Sequence, residues 1–161
     1  MGAGAPNWDP RVRGVILGLT PQSDKKVLAR AVLEGICLEI RWMLESVEQL
    51  GRQLNGVRIY GGPAKSRLWN QIAADIYKQP VSRMATGEAG LVGAAICSGI
   101  GVGIFANAQE GAESMVRIVE EITPNASVQT IYDELFEIFK DTYKTLSSEG
   151  IQDRIARFGN C

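Results

Sequence analysis

The feature that most constrains this chain is a short alternation, Val57-Arg58-Ile59-Tyr60, that runs without a spacer into Gly61-Gly62-Pro63 and then into a helical pattern from Leu68 to Tyr77. Alternation at period two marks a half-buried strand, and the apolar spacing from Leu68 onward suits a helix. A strand, a glycine turn and a helix in that order bring bare backbone to the end of a strand. Glycine has no Cβ to obstruct a ligand, and the amides that open the helix lack intrahelical partners and can face an anion or a hydroxyl. Alone the unit is no more than a turn. It has neither the GxGxxG spacing of a dinucleotide fold nor the GxxxxGK[ST] of a P-loop, so its meaning depends on what surrounds it.

The alternation continues along the chain. Gln79-Pro80 closes the helix, residues 81–85 read as a second strand, and Thr86-Gly87-Glu88 leads into a helix rich in glycine and alanine. Upstream, a long helix is expected to open near Ser23-Asp24 and to stop at Gly51, with Val27, Leu28, Ala31, Ile36, Leu38, Trp42 and Leu50 on it at helical spacings. Residues 14–19, Gly-Val-Ile-Leu-Gly-Leu, read as a buried strand ended by Thr20-Pro21. Downstream, residues 108–122 read as one helix, Thr123-Pro124-Asn125 as a break, and residues 128–146 and 151–157 as two further helices. Strands alternating with helices argue for an α/β domain with a helical C-terminal layer and no internal repeat. A length of 161 residues makes a single domain over residues 1–161 the expectation.

Several function classes are excluded by composition. Lys and Arg number 17 against 18 for Asp and Glu, and no basic face carries interleaved aromatics, so nucleic acid is not an expected partner. There is no histidine, which removes Ser-His-Asp and Cys-His nucleophiles and His-ligated metals. Cys37, Cys97 and Cys161 are widely spaced without a CxxC, which fits reduced thiols in the cytoplasm better than a disulfide framework or a zinc site. No signal peptide is read at the N-terminus. Residues 89–108 carry no charge and reach the length of a membrane span, but Gly90, Gly93, Gly99, Gly101 and Gly103 dilute the stretch and no basic cluster flanks it. Neither a membrane nor a dedicated metal site is expected.

Four separated blocks give the glycine turn its context. Gly4-Ala5-Pro6-Asn7-Trp8-Asp9-Pro10 leads to Arg13-Gly14 and Gly18-Leu19-Thr20, and then to Arg30-Ala31-Val32-Leu33-Glu34-Gly35. Gly61-Gly62-Pro63-Ala64-Lys65-Ser66 is followed by Leu68-Trp69-Asn70-Gln71 and Ala74-Asp75, then by Glu88-Ala89-Gly90 with Gly93-Ala94-Ala95, and finally by Tyr132 and the pattern from Leu135 to Tyr143. In order and spacing these resemble the C-terminal domain of the FGGY carbohydrate kinases, the family of xylulokinases and glycerol kinases.

The resemblance implies a ribonuclease H-like domain of the actin-like ATPase type, truncated at its N-terminal strands, which supplies the nucleotide half of an ATP-dependent sugar kinase. It implies that Gly62 lies against the adenosine of ATP or ADP, with Gly61, Pro63, Ala64 and Ser66 lining the same turn, and that Mg2+ accompanies the nucleotide. Pro63 departs from the glycine or alanine of many members and offers no N–H, so contact there is packing or a carbonyl. The catalytic base and the sugar pocket are implied in an N-terminal domain absent from this chain, so no catalytic residue is assigned here. The acceptor would be a small sugar or polyol, xylulose before gluconate, ribulose or another pentose. The chain alone is expected to be inactive as a kinase, to bind nucleotide weakly, and to self-associate through an uncovered apolar face. The alternatives are a catalytically silent binding or interaction module on the same fold, and a different actin-like phosphotransferase or phosphatase.

The remaining residues have plainer readings. Arg30 and Glu34, one turn apart, are expected to pair with each other, and Trp69 to anchor the core. Lys65 is as readily solvated as phosphate-directed. Asp75 alone makes a poor magnesium site. Gly90, Gly93 and Ala94 are expected to let their helix pack closely on a neighbour.

Overall fold

A computed structural model describes residues 2–158. In chain order the elements are helix α1 (Lys25–Gln49), strand β1 (Val57–Ile59), helices α2 (Gly61–Ala64) and α3 (Arg67–Tyr77), strand β2 (Val81–Met84), helices α4 (Ala89–Gly101) and α5 (Ala108–Met115), strand β3 (Ile118–Ile122), and helices α6 (Gln129–Ser148) and α7 (Ile151–Phe158). The described residues fall into two compact units, one formed by residues 2–53 with 127–158 and the other by residues 54–126.

The first unit is helical. Asp24 caps α1, its Oδ1 accepting from the amides of Lys26 and Val27 at 2.8 and 2.9 Å, and Gly51 ends it with a left-handed φ of 78°. Cys37, Leu38 and Arg41 are the buried positions of α1, and Tyr132 and Phe136 those of α6, each set at helical spacing. The Arg41 guanidinium lies 4.2 Å from the centroid of Phe136 and the Lys140 ammonium 4.4 Å from it. Arg41 also reaches Asp133 Oδ1 at 2.8 Å, so its buried charge is paired as well as stacked. Trp42 meets Phe139 and Tyr143 edge-on at 6.3 and 5.3 Å. Helix α7 fastens the N-terminal segment: buried Gln152 accepts from the Arg13 amide at 2.9 Å, and Arg11 pairs with Asp153 at 2.8 Å.

Residues 14–19 do not form the expected buried strand. Val15, Ile16, Leu17 and Leu19 are exposed, Leu17 at 65%, and the described residues of this unit contain no strand to pair with them. An extended segment is stabilised as a strand by cross-strand hydrogen bonds. Without a partner, apolarity alone does not make one.

The second unit holds the sheet, ordered β1-β2-β3, with β1 and β2 parallel and β2 and β3 antiparallel. Helix α3 is the crossover that parallel strands require, and it buries Ile72, Ala73, Ala74, Ile76 and Tyr77 with Val81, Met84 and Ile122 of the sheet. Lys78, in the left-handed conformation at φ 56°, ends α3 before Pro80. The single helix expected over residues 108–122 is instead α5 followed by β3. Asn107 caps α5 by accepting from the Glu110 amide, Glu110 reaches back to the Ala106 amide, and β3, opened by the β-branched Ile118-Val119, pairs with β2 rather than prolonging the helix.

Close packing in the α4–α5 region also falls elsewhere than expected. A Cβ added at Gly90 or Gly93 would meet nothing within 4 Å, and Gly90, Gly93 and Ala94 are exposed. The intimate positions are Gly99, where a Cβ would stand 2.6 Å from the Phe105 ring, and Gly111, where it would stand 2.6 Å from Ile96. Helix α4 spans 13 residues. Among the described residues no helix is long and apolar enough to cross a membrane. Cys37 is buried and Cys97 exposed, while Cys161 lies outside the described residues.

Candidate nucleotide turn

Because β1 and β2 are parallel, the loops that leave them emerge at the same edge of the sheet, the edge at which ligands bind in open α/β sheets. The first loop is the glycine turn. Tyr60 is extended at φ −123° and provides no side-chain hydrogen bond to the turn after it. Gly61 then takes a φ of 73°, a conformation that disfavours any residue with a Cβ. From Gly61 the chain forms more than a plain turn: it winds into the four-residue helix α2, closed by bonds from the Lys65 amide to the Gly62 carbonyl at 3.1 Å and from the Ser66 amide to the Pro63 carbonyl at 3.0 Å. Pro63 sits in the first helical turn, where a missing N–H costs nothing.

The second loop, 85–88, comes against the first. A Cβ placed on Gly87 would be 3.9 Å from the Gly61 Cα, and one placed on Gly61 would be 3.9 Å from the Gly87 carbonyl oxygen. Gly62 faces outward: it is exposed, and a Cβ there meets nothing within 4 Å. The two loops therefore form a bare backbone shelf with Gly62 open above it.

Ser66 has two duties. Its Oγ accepts from the Trp69 amide at 3.3 Å and so caps α3, and a hydroxyl that accepts still has its proton to donate. Asn70 is fully buried and donates from Nδ2 to the Ala64 carbonyl at 3.2 Å, while its Oδ1 has no partner. Gly61, Gly62, Pro63, Ala64 and Ser66 are thus gathered in one tight stretch of chain, with Ala64 buried beneath and Lys65 exposed at its end. In the sequence, Gly87 is one residue of a linker and Asn70 one letter of a motif. Only the parallel pairing of the strands and the burial of α3 single them out.

The other residues singled out in the sequence take different parts. Arg30 Nε pairs with Glu34 Oε1 at 2.8 Å, as expected for neighbours on one helix face. The Tyr132 hydroxyl joins them, donating to Glu34 Oε1 at 2.9 Å and standing 3.0 Å from Arg30 Nη2. Burial, reinforced by the hydrogen bond to Glu34, raises the Tyr132 pKa above its ordinary value. Asp75 is buried, and its Oδ1 accepts from Gln71 Nε2 at 2.9 Å and from the Asn125 amide at 2.8 Å. It ties α3 to the segment after β3. Among the described residues no cluster of three carboxylates or cysteines could hold a metal ion. Trp69 is half-buried and its neighbour Leu68 is 56% exposed, so the anchor of α3 is Ile72 rather than Trp69.

The sequence model of the C-terminal domain of the FGGY family of carbohydrate kinases matches residues 1–102. The chain belongs to that family. It is 31% identical over 143 residues to a xylulose kinase of Staphylococcus epidermidis, covering 89% of this chain and 29% of that protein. It is 36% identical over 128 residues to a glycerol kinase of Saccharolobus islandicus, covering 79% and 25%. Among solved structures, a ligand-bound xylulose kinase of Lactobacillus acidophilus superposes with a TM-score of 0.80 at 25% identity, over 89% of this chain and 29% of that one. The FGGY chain shares the α/β, ribonuclease H-like fold of these kinases. It spans less than a third of the length of the relatives it matches.

Proposed function

We propose that this FGGY domain is the nucleotide half of an ATP-dependent carbohydrate kinase and that the shelf of Gly61, Gly62 and Gly87 receives the nucleoside of ATP or ADP. The observation that carries the reading is the pair of glycine loops meeting at the carboxyl edge of two parallel strands, with open space over Gly62. Bare backbone allows a flat ring to approach closely. The amides opening α2 and the proton of the Ser66 hydroxyl supply donors, and Pro63 and Ala64 shape the floor. These residues would bind and orient the nucleotide.

In the complete reaction the γ-phosphoryl group passes to a hydroxyl of a small sugar or polyol, and Mg2+ neutralises the phosphates when bound with the nucleotide. We assign the ion to the nucleotide and to groups outside the chain. The base that takes the hydroxyl proton and the sugar pocket are assigned there too. Similarity to xylulose kinases over 89% of the chain favours xylulose as the sugar. A cytoplasmic setting suits a kinase that draws on ATP, and the exposed Leu17, Ile131 and Ile138 favour self-association of the isolated chain.

Phosphoryl transfer depends on aligning both substrates and excluding water, which half of a cleft cannot do. The purified chain, given ATP, Mg2+ and xylulose, is expected to release no ADP above the sugar-free control. Sugar-dependent ADP release would overturn the division of labour. The second reading, a silent interaction module, predicts no response of Gly61 or Gly62 to nucleotide at all.

A further inference from the structure

Beneath the glycine shelf lies a polar residue that nucleotide contact leaves unexplained. Asn70 is completely buried on α3, where buried Ala73, Ala74 and Tyr77 follow it at helical spacing on the same face. Its Nδ2 reaches back six residues to the Ala64 carbonyl, the last residue of α2, at 3.2 Å. Its Oδ1 finds no partner. Burying an amide with one acceptor unsatisfied is costly, and an apolar side chain at this position would carry no such acceptor. The carboxamide is therefore a poor choice for packing alone.

What the amide does is local. Helix α2 is a single turn, too short to hold itself by its own bonds. The Lys65 and Ser66 amides close it from within, Ser66 Oγ ties it forward to the Trp69 amide, and Asn70 Nδ2 holds the Ala64 carbonyl from below. We infer that Asn70 is a positioning residue for the nucleotide turn: by fixing the Ala64 carbonyl it holds the Gly61–Gly62 backbone in its ligand-ready conformation without touching the ligand. This rests on the nucleotide reading of that turn.

The test uses the whole chain, labelled with 15N, as wild type, Asn70→Leu and Gly62→Val. Amide hydrogen exchange reads the turn, and titration with ADP reads the ligand. Asn70→Leu is expected to speed exchange at Lys65 and Ser66 by about tenfold, the loss of one hydrogen bond's worth of protection, and to weaken ADP binding by a similar factor. Exchange at β2 should stay near wild type. Gly62→Val should weaken ADP binding with exchange at Lys65 and Ser66 unchanged. Uniformly faster exchange throughout residues 54–126 in Asn70→Leu would mean a purely structural role and overturn the assignment. So would wild-type exchange at the turn with wild-type ADP binding. If ADP leaves Gly61 and Gly62 unmoved in the wild type, the nucleotide reading fails and the role of Asn70 fails with it.

Discussion

Gly61 and Gly87 stand against each other, the Cα of one 3.9 Å from where a Cβ would project on the other, at the ends of the two parallel strands. At that distance a methyl would make an ordinary contact, so sterics do not decide what Gly61→Ala would cost. Backbone conformation does. With φ at 73°, an alanine there should destabilise the chain by about 1–2 kcal/mol, a loss that urea denaturation would show and that Gly87→Ala, without a left-handed φ, would show much less.

Gly62→Val separates binding from folding. A Cβ placed at Gly62 would meet nothing within 4 Å, so stability should stay within about 0.5 kcal/mol of wild type. The side chain would occupy the space over the shelf, and ADP affinity should fall at least about tenfold, the effect of roughly 1.4 kcal/mol of lost contact. Urea denaturation of the two proteins would check the stability, and isothermal titration with ADP the affinity.

The glycines of the α4–α5 region divide sharply. A Cβ at Gly111 would press on Ile96 at 2.6 Å, and Gly111→Ala should cost about 1–3 kcal/mol by overpacking. Gly93→Ala, in open space within α4, should stabilise by about 0.4–1 kcal/mol through a stiffer unfolded chain and better helix propensity. Thermal midpoints should move in opposite directions.

The Arg30–Glu34–Tyr132 cluster predicts a pH dependence. Burial raises the Tyr132 pKa in the folded chain, so the unfolded chain loses its phenolic proton first. The contribution is fully present below the ordinary tyrosine value of about 10 and is lost as pH rises from there through the folded value. Urea midpoints should fall above about pH 10, less steeply in Tyr132→Phe. A residual fall is expected from Tyr143, whose pKa burial also raises.

Much of the fold is legible in the residues because the physics is local. Asp24 and Gly51 bracket α1 by capping and by a left-handed φ, and Val57-Arg58-Ile59 alternates as a strand with one face covered. Arg30 and Glu34 pair because a helix places them together. What escapes a reading of the sequence depends on partners distant along it. Residues 14–19 are apolar enough for a strand, but the described residues of their unit contain none to pair with. Residues 118–122 turn from helix to strand because β2 lies beside them. Gly87 and Asn70 carry no local signal: one matters through the neighbouring parallel strand, the other through a carbonyl six residues back. The family is readable from the order of its blocks, while the sugar is not, since no residue of the nucleotide turn touches it in the arrangement proposed.

The most direct test of the nucleotide shelf tracks the backbone amides of the 15N-labelled chain as ADP is added to millimolar concentration. Saturable shifts centred on Gly61, Gly62, Ser66 and Gly87 are expected. Shifts confined to residues of the helical unit, or none at the two glycine loops, would contradict the shelf as the nucleotide site.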